Sequence, residues 1–69
     1  MQRQQVESSS IQSVGYDSDR HVLEVEFENG SVYHYFLVPR SIHAGLMAAE
    51  SKGRFLNAKI KDVYRSERL

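Results

Sequence analysis

An Asn-Gly pair between two strand-like runs constrains this chain more than any other feature. Before it, residues His21 to Glu28 alternate, with Leu23, Val25 and Phe27 on one face and Glu24, Glu26 and Glu28 on the other. That period of two marks a strand with one face buried and one in water. Asn29-Gly30 then predicts a hairpin onto Ser31 to Val38.

Two hairpin registers compete. A two-residue turn at Asn29-Gly30 pairs Glu28 with Ser31 and sets Tyr33 and Tyr35 on the glutamate face. A type I turn with Gly30 as a left-handed bulge residue pairs Phe27 with Ser31 instead. Tyr33 then lies beside Val25, Tyr35 beside Leu23, and His34 opposite Glu24. The slip of one residue decides whether the tyrosines are core or surface. The bulge is favoured because it leaves one face aromatic-aliphatic and the other charged. Both registers stay open on sequence alone.

Around this hairpin the other elements are shorter signals. Residues 1–7 are polar apart from Met1 and Val6 and are expected to be flexible, with a single domain over residues 8–69. Ile11 to Tyr16 reads as a first strand, and Asp17-Ser18-Asp19-Arg20 as a turn held by side-chain oxygens. Pro39 ends the second hairpin strand and suits a helix start. Ile42, Leu46 and Ala49 then form one stripe of a helix running to about Glu50, with Gly53 as its left-handed stop. A shorter helical segment spans Arg54 to about Lys61, and residues 63–66 read equally well as helix end or last strand. The expected fold is therefore α+β: an antiparallel meander sheet of three or four strands packed on one helix and a shorter C-terminal helical segment. From the sheet, the expected core takes Ile11, Val14, Tyr16, Leu23, Val25, Phe27, Tyr33, Tyr35 and Val38. The helices add Ile42, Leu46, Ala49, Phe55, Leu56 and Ile60.

At 69 residues and without cysteine, the chain has room for one core and no disulfide or thiolate metal site to support it. Oligomerisation is a reasonable expectation for so small a core. The N-terminus has no apolar run of the signal-peptide kind, and the longest apolar run is too short to span a bilayer. No membrane role is expected, and the cytoplasm is the expected location. Net charge is zero but unevenly placed: three basic against seven acidic residues up to Ser51, then six basic against two acidic from Lys52 onward.

The order of several residues then carries a resemblance. It runs Ser8-Ser9-Ser10-Ile11, Gly15-Tyr16-Asp17, Leu23-x-Val25-x-Phe27, Gly30 and Tyr33-x-Tyr35. It continues through Val38-Pro39, Ala49-x-Ser51-x-Gly53, Phe55-x-Asn57, Ile60 and Tyr64. This set resembles the KTSC family, named for a domain at the C-terminus of some lysyl-tRNA synthetases and also found as a small stand-alone bacterial protein. The resemblance implies a domain of unsettled role for which RNA binding has been suggested by association. It implies no catalytic residue.

Chemistry-bearing residues are few. Tyr33 and Tyr35 offer either a base-stacking platform or core side chains with wet hydroxyls, and a chain with so few large apolar groups needs them inside. Lys52, Arg54, Lys59, Lys61 and Arg65 form a basic segment that permits nucleic-acid binding, with Ser51-Lys52-Gly53-Arg54 able to face a phosphate at a helix start. A solvated helix face explains the same residues. His21, His34 and His43 have no close metal-binding spacing, and His34 is expected to pair with Glu24. Neither a nucleophile elbow nor an acid/base carboxylate pair stands out, so no catalytic residue, metal or cofactor is expected. The expected function is a non-catalytic binding module, with RNA as one partner class. The alternative is a protein-interaction or self-assembling module.

Overall fold

The hairpin takes the bulge register. In the computed structural model, which describes all 69 residues, Gly30 has φ +90° and its N–H donates to the Phe27 carbonyl at 2.9 Å. The Phe27 N–H donates in turn to the Ser31 carbonyl, also at 2.9 Å. Asn29 accepts from the Ser31 N–H and hydroxyl at 3.0 and 2.7 Å, which closes the turn. Leu23 therefore pairs with Tyr35, Glu24 with His34 and Val25 with Tyr33.

Five strands form one antiparallel sheet in chain order: β1 (Arg3–Gln5), β2 (Ile11–Asp17), β3 (Val22–Phe27), β4 (Val32–Tyr35) and β5 (Ser66–Arg68). The fold is the expected α+β meander, with five strands where three or four were expected. The strand outside that expectation is β1: Arg3, Gln4 and Gln5 pair with Gly15, Val14 and Ser13. Two helices, α1 (Arg40–Ala48) and α2 (Lys52–Lys59), lie between β4 and β5 in sequence. No helix is long and apolar enough to cross a membrane.

A register shift in β2 explains a core set that strict alternation forbids. Ile11 pairs with Phe27 but Ser13 pairs with Glu26, so one residue is extra between them. Ile11 and Val14 thereby reach the same face despite an odd spacing, and both are buried. The Asp17 turn forms as its side chain dictates, with Oδ1 accepting from the N–H groups of Asp19 and Arg20 at 3.0 and 3.3 Å.

The core joins the inner sheet face to both helices. Ile11, Val14, Leu23, Val25, Tyr35, Val38, Leu46, Leu56 and Ile60 are buried. Tyr16, Phe27, Tyr33, Ile42 and Phe55 pack against them half-buried, as do Val6, Met47 and Tyr64, which sequence periodicity did not assign. Ala49 is half-buried at the C-terminal cap of α1 and stands outside the core. Two helix limits move as well. The α1 helix stops at Ala48, and α2 begins at Lys52, so Gly53 is a helical residue in its first turn rather than a left-handed stop. Its lack of a side chain is a matter of space: a Cβ there would come 2.5 Å from Ser10 Oγ. Of residues 63–66, only Ser66 is in a strand, and the rest form the turn into β5.

Candidate functional site

One open groove collects the aromatic residues of the hairpin. Its volume is about 310 Å³, and its sheet side is formed by Phe27, Tyr33 and Tyr35 with Asn29 and Ser31 at the turn. Opposite them stand Leu56 and Asn57 of α2, then Lys61 and Asp62, with Ser66 of β5 completing the rim. The rings form a ladder: Phe27 meets Tyr33 edge-on at 5.6 Å, and Tyr33 stacks beside Tyr35 at 6.3 Å.

The two tyrosines differ in role. Tyr35 is only 4% exposed and belongs to the core, whereas Tyr33 is half-buried and presents ring surface to the groove. Burial, then the neighbouring Tyr33 and the Asp62 carboxylate, push the Tyr35 hydroxyl above its ordinary pKa of 10.0. It therefore stays a neutral hydrogen-bond donor under any physiological condition. Asp62 is held with φ +64° just past α2, where the Lys61 N–H closes on the Leu56 carbonyl at 2.8 Å.

The basic residues do not converge. Lys61 alone among them lines the groove. The Lys52 ammonium turns back to donate to the Ala49 carbonyl at 3.0 Å, and Arg54 and Lys59 are exposed on α2. Arg65 lines a separate recess with Phe36, Leu37, Val63, Tyr64 and Glu67. At the start of α2 the Ser51 hydroxyl itself accepts from the Arg54 N–H at 3.4 Å, so one of the N–H groups an anion would use is already taken.

The outer sheet face is polar and internally paired. His34 Nε2 lies 2.7 Å from Glu24 Oε1, the pairing the bulge register demands. Arg3 reaches Glu24 at 3.6 Å and Glu26 at 3.9 Å, and the buried Ser13 hydroxyl donates to Glu26 at 2.8 Å. These carboxylates thus meet the N-terminal arginine rather than the C-terminal cations. Nowhere do three His, Cys, Asp or Glu side chains gather closely enough to hold a metal ion.

Sequence reasoning missed most of the groove rim. Asn57 was visible as part of an ordered residue set without a role, and Asp62 carried no signal beyond its charge. Only the fold brings them opposite Tyr33, because α2 and the turn after it lie across the hairpin.

Fold and groove together define a small α+β meander domain with helices on one face and an aromatic cleft beside them. The chain belongs to the KTSC domain family, which it matches over residues 7–64. A crystal structure of a KTSC domain protein from Yersinia pestis superposes with a TM-score of 0.93 at 45% identity, covering 99% of this chain and 96% of that one. A protein from Tsukamurella paurometabola is 43% identical over 63 residues, covering 91% of this chain and 94% of the relative. A lysine–tRNA ligase of Nostoc punctiforme is 41% identical over 63 residues, which are 91% of this chain but only 11% of the ligase. The domain therefore occurs both alone and as a small part of a much larger enzyme.

Proposed function

We propose that this chain is a non-catalytic binding module whose groove takes an unpaired base of single-stranded RNA. The observation that carries this reading is Tyr33: a half-buried ring lining an open cleft, with Phe27 edge-on beside it and Asn57 and Lys61 on the same lining. A flat heterocycle stacks on such a ring whatever its identity, while amides and hydroxyls at the rim can meet its polar edge. The ligase relatives add context, since the enzyme in which they carry this domain is named for a tRNA.

Electrostatics make the binding modest. With one cation at the groove and no net charge on the chain, few phosphates can be neutralised. Fluorescence anisotropy with a short single-stranded RNA across a salt series tests the reading. Tyr33→Leu keeps apolar packing but removes the ring, and should abolish binding in a folded protein. Lys61→Gln should flatten the salt slope by roughly 0.7, the value of one single-strand phosphate contact. Joint replacement of Lys52, Arg54 and Lys59 by glutamine should leave the slope unchanged. Absence of binding at low ionic strength would overturn the RNA reading.

A protein-interaction role is the second reading, and the scatter of the cations favours it. Leu37 and Val63 are 78% and 61% exposed beside the recess that Arg65 lines.

A further inference from the structure

We infer that the free edge of β5 pairs with β5 of a second copy of this chain, antiparallel about a twofold axis through Ser66. The sheet has two edges, β1 and β5, and the inference concerns only the second.

The backbone sets the phase of that edge. The Arg65 carbonyl accepts from the Phe36 N–H at 2.9 Å, and the Leu69 N–H donates to the Val32 carbonyl at 2.8 Å. Residues 65 and 69 thus direct their backbone groups toward β4, and so does Glu67 between them, opposite His34. By alternation, Ser66 and Arg68 direct theirs outward, away from the sheet. An antiparallel partner therefore finds Ser66 as a ready hydrogen-bonded pair, and the twofold places it against Ser66 of the second copy.

Side chains fit the same register. Arg65 then stands opposite Glu67 of the second copy, and Glu67 opposite its Arg65, in the close, non-hydrogen-bonded positions of the ladder. Neither residue has an ion-pair partner within its own chain. Charged residues usually guard a sheet edge against pairing. Here that guard cancels itself in one register and one partner, the chain's own copy. Apolar exposure follows the same line. Val63 and Leu69, 61% and 63% exposed, flank β5 at its two ends, and the twofold brings each end of one strand to the opposite end of the other. Leu37, 78% exposed with φ +56°, adds a third apolar side chain beside Arg65 and Glu67. A bulky residue in that conformation is strained and exposed at once, a combination that an interface would account for.

The contact is small, since β5 is three residues long. Weak, concentration-dependent dimerisation is the expected behaviour. The inference is independent of any RNA ligand.

Sedimentation equilibrium of the full chain up to about 1 mM tests it. Wild type should move from the 8.0 kDa monomer toward twice that mass as concentration rises. Ser66→Pro removes the outward N–H without touching the β4 ladder, and should hold the protein monomeric with its circular dichroism unchanged. Arg65→Glu and Glu67→Arg should each weaken association by roughly tenfold or more through like-charge contact. An equimolar mixture of those two variants should recover it, because every cross-strand pair is then opposite in sign. A monomeric wild type at the highest concentration overturns the inference. So does a mixture that associates no better than its components.

Discussion

His34 Nε2 sits 2.7 Å from Glu24 Oε1, directly across β3 and β4, and that contact exists only in the register that Gly30 permits. Gly30 has φ +90°, and no atom would crowd a Cβ placed there. The cost of a side chain is therefore one of backbone conformation alone. Gly30→Val should lose more than the ~1 kcal/mol of an ordinary strand propensity change, and Gly30→Asn distinctly less. Urea denaturation of the two variants gives the comparison. Equal stability for valine and wild type would refute the bulge.

How much of this was legible before the structure depended on how local each signal was. The β3 alternation and the Asn-Gly turn sit in consecutive residues, so the hairpin and its two registers could be written down. Choosing between the registers needed the faces to be weighed, and the pairing of His34 with Glu24 followed from that choice. The strand at Arg3–Gln5 was not legible, since three polar residues carry no period and become a strand only because β2 offers an edge. Gly53 misled for a related reason. Its close neighbour is Ser10, more than forty positions away, and nothing local distinguishes a glycine kept for space from one kept for a turn. The groove suffered most, because Tyr33, Asn57 and Asp62 meet only through the packing of α2 on the hairpin.

The tyrosine pair should divide under mutation. Tyr35 is buried at 4% exposure, so Tyr35→Ala should cost on the order of 3–5 kcal/mol and leave so small a domain largely unfolded. Tyr33→Ala removes a half-buried ring and should cost clearly less, leaving a cooperative melt at a lower temperature. Thermal denaturation followed by circular dichroism separates the two. Equal losses would contradict the division into a core ring and a groove ring.

Gly15 should control the attachment of β1. It lies opposite both Arg3 and Glu24, and its missing side chain leaves Arg3 a path over the sheet to Glu24. A Cβ at Gly15 would come 2.8 Å from the Gln2 carbonyl oxygen and 3.1 Å from Arg3 Cγ. Gly15→Ala should therefore displace β1, at about 1–3 kcal/mol, the usual scale for overpacking. Amide hydrogen exchange should show lost protection in Gln4 and Val6, whose N–H groups face β2, with β3 unaffected. Protection unchanged in both strands would show that β1 tolerates the extra methyl.

Acid should weaken the fold through His43. Its ring stacks face to face on Tyr16 at 4.6 Å, and burial lowers its pKa below the ordinary 6.5. Between that lowered value and 6.5 the unfolded chain binds more protons at this site than the folded one, so stability rises with pH across that window. The contribution is complete above the unfolded value and is lost as pH falls toward the folded one. His43→Phe keeps an aromatic ring on Tyr16 and cannot titrate. Denaturation midpoints measured between about pH 5 and 7 should fall less steeply for the variant than for wild type. Parallel curves would assign the acid sensitivity elsewhere.

The position of α1 and α2 in the chain has a consequence for how the molecule assembles. From β1 to β4 every strand pairs with its sequence neighbour through a short connection, so those pairings close small loops and can form early. Only β4 and β5 are separated, with residues 36 to 65 between them. Closing that longer loop adds little entropy cost per added residue, but docking of both helices is what brings its two ends together, so its hydrogen bonds should form after them. The last strand should therefore be the last to arrive and the first to open, a seam at one edge of an otherwise sequentially folding sheet.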